Sequence, residues 1–177
     1  MKINRKKILL SILFIILFSQ CNSLATKKLP TIDWVNPQIV KFLSKEKLQV
    51  ILQATEVRTY LTESTATSST GLNGYGITGM GNNLSPSEIN ILKNLVVDSK
   101  GYNFSIKKRC MIMPKFGFSF HYKKQQVNLL ISFQCKQWLF TFAKDKPQGF
   151  KLEDFDQIKS KLEKLVKRIF PKETLLH

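Results

Sequence analysis

The chain has few of the residues from which catalytic and metal sites are built. Its 177 residues include three cysteines and two histidines, with 12 acidic residues against 28 lysines and arginines. His177 is the last residue, so His121 is the only histidine inside the sequence that could act as a general base. No paired Cys or His spacing typical of a metal site occurs. We therefore predict no metal site and no cofactor.

The N-terminal apolar run, residues 8–18, is too short for a spanning helix, which needs roughly 20 residues. Basic residues precede this run, and a short segment ending at Cys21 follows it. A basic start, a short apolar middle and a small or polar end form the layout of a secretory signal. A cysteine directly after such a signal resembles the lipid-attachment site of bacterial lipoproteins. The basic residues are Lys2, Arg5, Lys6 and Lys7.

This reading divides the chain into three parts. Residues 1–20 are expected to be a signal peptide, residues 21–32 a tether lipidated at Cys21, and residues 33–177 a single domain. The protein would then lie in the cell envelope, anchored to the outer or inner membrane by lipid. A competing reading takes Ser23 and Ala25 as the small residues of an ordinary cleavage site, which would release a soluble chain.

The charge balance indicates the kind of partner. The formal net charge is +16, which favours contact with anionic surfaces such as acidic lipid headgroups, lipopolysaccharide or sulfated glycans. No pattern indicates a specific nucleic-acid partner. The cationic residues that we expect to make this contact are Lys107, Lys108, Arg109, Lys123 and Lys124.

The periodicity predicts an α+β fold. Three runs with alternating apolar residues, ending near Tyr122, Phe133 and Phe142, predict an antiparallel β-meander, and Glu56–Thr62 predicts a further strand. With a possible short strand near Tyr75, the sheet has about four to five strands. Helical periodicity predicts an N-terminal helix capped by Ser44, a middle helix with a capping box at Ser85, and a long amphipathic helix from Phe155 to Ile169, together covering the sheet.

Cys110 and Cys135 form an even pair once Cys21 is lipidated or removed. An exported chain meets oxidising conditions, which favours a disulfide between them. If Tyr122 faces Val127 across the hairpin, Cys110 lies about 13 Å from Cys135, at about 3.3 Å per residue, so the bridge requires the chain to bend at Pro114. Two buried thiols are the alternative.

The same region also resembles a known set of proteins. Arg109-Cys110 followed by Pro114, and Phe133-Gln134-Cys135 at the end of the next strand, resemble a motif in small exported bacterial proteins and lipoproteins. The resemblance covers Arg109 to about Phe142. It implies a common scaffold and no known activity.

Two further patterns were weighed as functional sites. Gly74–Gly79 has the spacing of a dinucleotide-binding loop, but no strand is predicted before it and no helix opens at its third glycine. Ser119 and His121 lie on the same face of one strand, and they give an exported hydrolase as an alternative function. No third residue is available to orient His121. The sequence therefore favours a membrane-anchored, non-enzymatic binding or structural module, with a soluble protein that binds anionic glycans or lipids as the other alternative.

Overall fold

The computed structural model describes residues 32–63, 71–105, 108–142 and 151–175. The predicted signal peptide, Cys21 and Lys107 lie outside these ranges. The described chain folds into a six-stranded sheet with four α-helices, which confirms the α+β class. In chain order the elements are α1 (Pro37–Leu43), α2 (Lys45–Gln53), β1 (Glu56–Thr62), β2 (Ile77–Met80), α3 (Pro86–Val97), β3 (Phe116–Tyr122), β4 (Gln125–Ser132), β5 (Gln137–Phe142), β6 (Lys151–Asp154) and α4 (Lys159–Ile169).

All neighbouring strands are antiparallel, in the order β2-β1-β3-β4-β5-β6. The sheet therefore has six strands, rather than the four or five expected from the sequence. The unexpected strand is β6, which pairs with β5 at one edge of the sheet. Its four residues contain one apolar side chain, Leu152, so alternation gives almost no signal. The sequence predicts that the last helix starts at Phe155, directly after this strand, but α4 begins only at Lys159.

Local capping explains where the first helices begin and end. The Ser44 backbone N–H donates to the carbonyl of Val40 at 2.9 Å and closes α1, while the Ser44 hydroxyl accepts from the backbone N–H of Lys47 at 3.4 Å and opens α2. Ser44 has a φ of 71°, which turns the chain sharply between the two helices. One serine thus satisfies backbone groups at both helix ends.

The register of the β3–β4 hairpin differs from our expectation. Tyr122 pairs with Gln125 and Phe116 with Ile131, because the turn contains only Lys123 and Lys124. Lys123 takes a φ of 53°, the left-handed conformation that a two-residue hairpin turn commonly needs. The predicted pairing of Tyr122 with Val127 is therefore wrong by two residues. The face on which each side chain lies is unchanged, since a shift of two preserves the alternation.

One face of the sheet carries the main apolar core. Phe118 of β3, Leu129 of β4 and Phe140 of β5 are adjacent across the strands and fully buried. The same cluster includes buried side chains of all four helices, among them Ile39, Leu48, Leu92 and Leu162. Each such side chain contributes about 1.5–3 kcal/mol on burial, so this inner face is the main source of stability.

The opposite, outer face carries a smaller apolar cluster. Leu130 and Leu139 lie side by side on β4 and β5, and Leu72 packs over them from the segment before β2. Gly117 of β3 lies beneath Leu72, where a Cβ atom would come within 2.5 Å of a Leu72 methyl carbon. Residues 71–76 therefore cross the outer face, and glycine at 117 permits their close approach.

The start of α3 offers a test of the capping prediction. The Ser85 hydroxyl accepts from the backbone N–H of Glu88 at 3.3 Å, and the Glu88 carboxylate accepts from the Ser85 backbone N–H at 2.9 Å. These bonds form the predicted capping box. The hydrogen bonds from the Ser85 backbone, and then from its hydroxyl, lower the pKa of Glu88 below its ordinary value.

We expect Ser85→Ala to lower the free energy of unfolding by about 1 kcal/mol at pH 7 in urea titrations. Folding lowers the pKa of Glu88, so the contribution of its carboxylate is present above the ordinary glutamate pKa and is lost as the pH falls through the lowered value. The cost of Ser85→Ala should therefore shrink in acid. Ser87→Ala, two residues along, is the matched control because it removes only a hydroxyl contact to Ser85 at 3.0 Å, and a cost equal to that of Ser85→Ala would contradict the capping assignment.

Candidate functional site

Cys110 and Cys135 form a disulfide, with their Cα atoms 5.8 Å apart. Cys135 lies in the loop between β4 and β5, and Cys110 lies in the segment that leads into β3. Extending the observed β3–β4 pairing places Cys135 opposite Ile112, two residues from Cys110, instead of the four residues that the expected register implies. The corrected register therefore removes most of the geometric objection to the bridge.

A group of charges lies beside the disulfide. Lys108 Nζ is 3.5 Å from Asp154 Oδ2 and 2.5 Å from Asp156 Oδ2, and it also donates to the Cys135 carbonyl at 3.5 Å. Lys136 Nζ lies 3.5 Å from the other carboxylate oxygen of Asp156. Burial opposes the ionisation of Asp156, but the hydrogen bond and charge of Lys108 and the charge of Lys136 outweigh it and lower the pKa of Asp156.

Asp154 is the unusual member of this group because its side chain is only 2% exposed. Neither carboxylate oxygen has a hydrogen-bond donor within the described residues, and the same is true of Oε1 of Gln137, its cross-strand neighbour. Lys108 is therefore the charge that compensates Asp154. A buried carboxylate without a compensating cation is strongly unfavourable.

The residues predicted to contact anions are divided between two ends of the sheet. Lys108 and Arg109 precede β3, while Lys123 and Lys124 form the turn after it, roughly 20 Å away at about 3.3 Å per residue. Arg109, Lys123 and Lys124 are exposed, whereas Lys108 is engaged with the two aspartates. Among the described residues, the structure thus places Lys108 near Arg109 and Lys123 near Lys124, but it does not bring the two pairs together.

The outer face carries a row of polar side chains across three central strands. Ser119 of β3 donates to Asn128 Oδ1 of β4 at 2.8 Å, and Gln126 Nε2 donates to the same oxygen at 2.8 Å. Asn128 Nδ2 and the Thr141 hydroxyl both donate to Asn73 Oδ1, from the segment that crosses this face. Ser119, Asn128 and Thr141 are all buried.

The crossing segment is held by a tight turn. Leu72 and Tyr75 exchange backbone hydrogen bonds of 3.0 and 3.2 Å, and Asn73 and Gly74 between them both have positive φ. Asn-Gly is the strongest short signal for such a turn, and it was present in the sequence. After Gly76 the chain enters β2 and no helix begins before Pro86, so this glycine-rich segment does not have the architecture of a dinucleotide-binding loop.

His121 lies at the end of the polar row, across from Glu56 of β1. Burial first, and then the charge of Arg58, lower the pKa of His121, while Glu56 opposes them. Its Nε2 atom has no hydrogen-bond partner among the described residues, and the Ser119 hydroxyl donates to Asn128 instead. The two residues of the hydrolase alternative share a strand face without being joined by a hydrogen bond.

Within the described ranges, no group of three or more His, Cys, Asp or Glu side chains could hold a metal ion. None of the helices in those ranges is long and apolar enough to cross a membrane. Comparisons with protein-family models, curated proteins and solved structures found no match to this chain. The contacts described above are therefore the basis for any functional proposal.

The Lys108–Asp154 pair can be tested through stability. We expect Lys108→Met to lower the free energy of unfolding by about 3–5 kcal/mol at pH 7, because it leaves the Asp154 carboxylate buried without a cation. Asp154→Asn in the same chain should recover much of this loss. The control is Asp156→Asn, at a side chain that is 41% exposed, with an expected cost below about 1 kcal/mol. Equal costs for Lys108→Met and Asp156→Asn would refute the assignment of Lys108 as the cation that compensates Asp154.

Proposed function

We propose that the chain is an exported lipoprotein, anchored to a cell-envelope membrane through lipid on Cys21, whose folded domain is a non-enzymatic binding or structural module. Its partners would be the membrane itself and anionic molecules at its surface, such as acidic lipids, lipopolysaccharide or glycans. We also propose that the N-terminal, middle and C-terminal helices cover one face of the sheet. In this arrangement the exposed surfaces of the helices remain for contacts.

The observation that carries the proposal is the disulfide between Cys110 and Cys135. Disulfides form and persist in oxidising compartments and are rare where thiols are kept reduced. The N-terminal residues independently have the layout of an export signal. These two features lie far apart in the sequence, and both support export from the cytoplasm.

Charge supports the anionic partner. Without the four cations of the signal segment, lysine and arginine outnumber aspartate and glutamate by 24 to 12, so half of the cations have no acidic counterpart within the exported chain. Arg109, Lys123 and Lys124 are exposed cations among these. The polar outer face gives no support to catalysis, because the Ser119 hydroxyl is buried and donates to Asn128.

The intact mass of the protein from its native membrane tests export and anchoring together. We expect a chain that starts at Cys21 and carries a lipid-sized mass increment on that residue. Alkylation should modify Cys110 and Cys135 only after reduction. Cys21→Ser, with Cys110→Ser as a control that retains Cys21, should release the protein from the membrane fraction.

An unlipidated chain beginning near Thr26 would instead support the alternative of a soluble secreted protein that binds anionic glycans or lipids. Alkylation of both cysteines without reductant would remove the observation on which the proposal rests.

The contact with anionic surfaces should depend on salt. Charges at exposed positions are screened over about 8 Å at physiological ionic strength. We expect retention on a sulfated-glycan matrix to fall steeply with added salt, and the Lys123→Gln, Lys124→Gln double variant to elute at lower salt than the parent chain. Gln125→Ala in the same hairpin is a control that removes no charge. Retention that does not change with ionic strength would contradict the electrostatic mechanism.

A further inference from the structure

The helices α3 and α4 enclose a groove of about 370 Å³ that is open to solvent on one side. This volume lies at the lower end of the range for small-molecule sites. The groove has an apolar part, where Ile91 of α3 is 39% exposed and Leu95 and Leu165 lie buried behind it, and a cationic wall along α4. The wall consists of Lys161, Lys164 and Arg168, whose spacing of three and four residues puts them on one side of the helix.

Two ion pairs lie at the ends of this groove. Lys161 Nζ is 3.7 Å from Asp98 Oδ2 at the end of α3, and Arg168 Nε is 4.0 Å from Glu88 Oε1 at its start. Both distances are long, and both cations are well exposed. Exposed pairs of this kind contribute little to stability, so an incoming anion could draw either cation toward itself at low cost.

Lys164 lies between these two pairs and has no carboxylate partner among the described residues. It lines the groove beside the apolar side chains Leu95 and Leu165. An unpaired ammonium next to an apolar surface is complementary to a molecule that carries one negative charge adjoining hydrocarbon. A small inorganic anion would leave the apolar part of the groove exposed to water, and a neutral lipid would leave Lys164 without a partner.

We propose that the groove binds an anionic phospholipid, with the headgroup phosphate at Lys164 and the first acyl carbons against Ile91, the exposed apolar side chain of the groove. The choice of a bilayer lipid as the source of this chemistry rests on the proposed function, which places the domain at a membrane surface. The volume accommodates the headgroup and the start of a chain, so the remaining lipid stays in the bilayer. The domain would then contact the membrane through the α3–α4 edge, at a defined site.

Vesicle binding of the full chain carrying Cys21→Ser tests this site without an acyl anchor. Vesicles of phosphatidylcholine alone are compared with vesicles that also contain phosphatidylglycerol, and the preference for the second is measured. Lys164→Gln and Ile91→Ser alter the charged and apolar halves of the groove. Lys172→Gln removes an equal charge elsewhere, and Ile77→Ser matches the apolar change, since Ile77 and Ile91 are 46% and 39% exposed.

We expect Lys164→Gln to reduce the preference for phosphatidylglycerol roughly 5-fold, the effect of one basic residue at an anionic surface. Ile91→Ser should also reduce it, while Lys172→Gln and Ile77→Ser should stay within about 2-fold of the parent. Equal losses for Lys164→Gln and Lys172→Gln, no loss for Ile91→Ser, or no preference in the parent chain would each overturn the site. Because Cys21 is replaced in every sample, none of these outcomes depends on lipidation, which the mass measurement decides separately.

Discussion

The register of the β3–β4 hairpin determines both faces of the sheet and the corner that the disulfide closes. Because strand side chains alternate, a slip of one residue would move the phenylalanines of β3 from the inner face to the outer face. The two-residue turn at Lys123 and Lys124 prevents this slip by fixing Tyr122 opposite Gln125. The same pairing puts Ser119 beside Asn128 and brings the segment before β3 close to Cys135. The inner core, the polar row and the disulfide therefore share one geometric origin.

The corner beside the disulfide combines three constraints of different kinds. The covalent bond joins the segment before β3 to the loop between β4 and β5. In that loop the Lys136 carbonyl accepts from the Phe155 backbone N–H at 3.0 Å, just beyond the end of β6. Lys108 then places its ammonium between Asp154 and Asp156. A buried carboxylate is tolerated here because covalent and backbone bonds hold its cation nearby.

The sequence allowed the central elements to be predicted because their signals are local. β1 occupies the expected Glu56–Thr62, and serine caps open helices at Lys45 and Pro86. The alternation in β3, β4 and β5 gave the correct faces even with the wrong register, because an error of two residues preserves side-chain direction. β6 could not be predicted, because four residues with one apolar side chain have no periodicity.

The candidate sites were harder to predict because they depend on contacts between segments that are far apart in the sequence. The burial of Ser119 depends on residues 71–76 crossing the outer face, a contact between segments more than 40 residues apart. The turn at Asn73 and Gly74 was readable from sequence, but its position over the sheet was not. Lys108 looked like a free surface cation because its partners, Asp154 and Asp156, lie more than 40 residues later. Sequence identifies which groups carry charge, but only the fold shows which charges are paired.

The pairing of charges also decides where an anionic partner could bind. Seven of the 12 acidic residues form ion pairs within the described chain: Glu56, Glu88, Asp98, Asp154, Asp156, Glu163 and Glu173. These acids neutralise cations on several elements, so the net charge of +16 is not spread evenly over the surface. The surroundings of an unpaired cation also matter, and Lys164 shares its groove with the exposed side chain of Ile91. A uniform basic coat would attract any anion, whereas a cation next to hydrocarbon selects an amphiphilic one. A neighbouring apolar side chain, rather than total charge, therefore distinguishes Lys164 in the α3–α4 groove from an isolated surface cation.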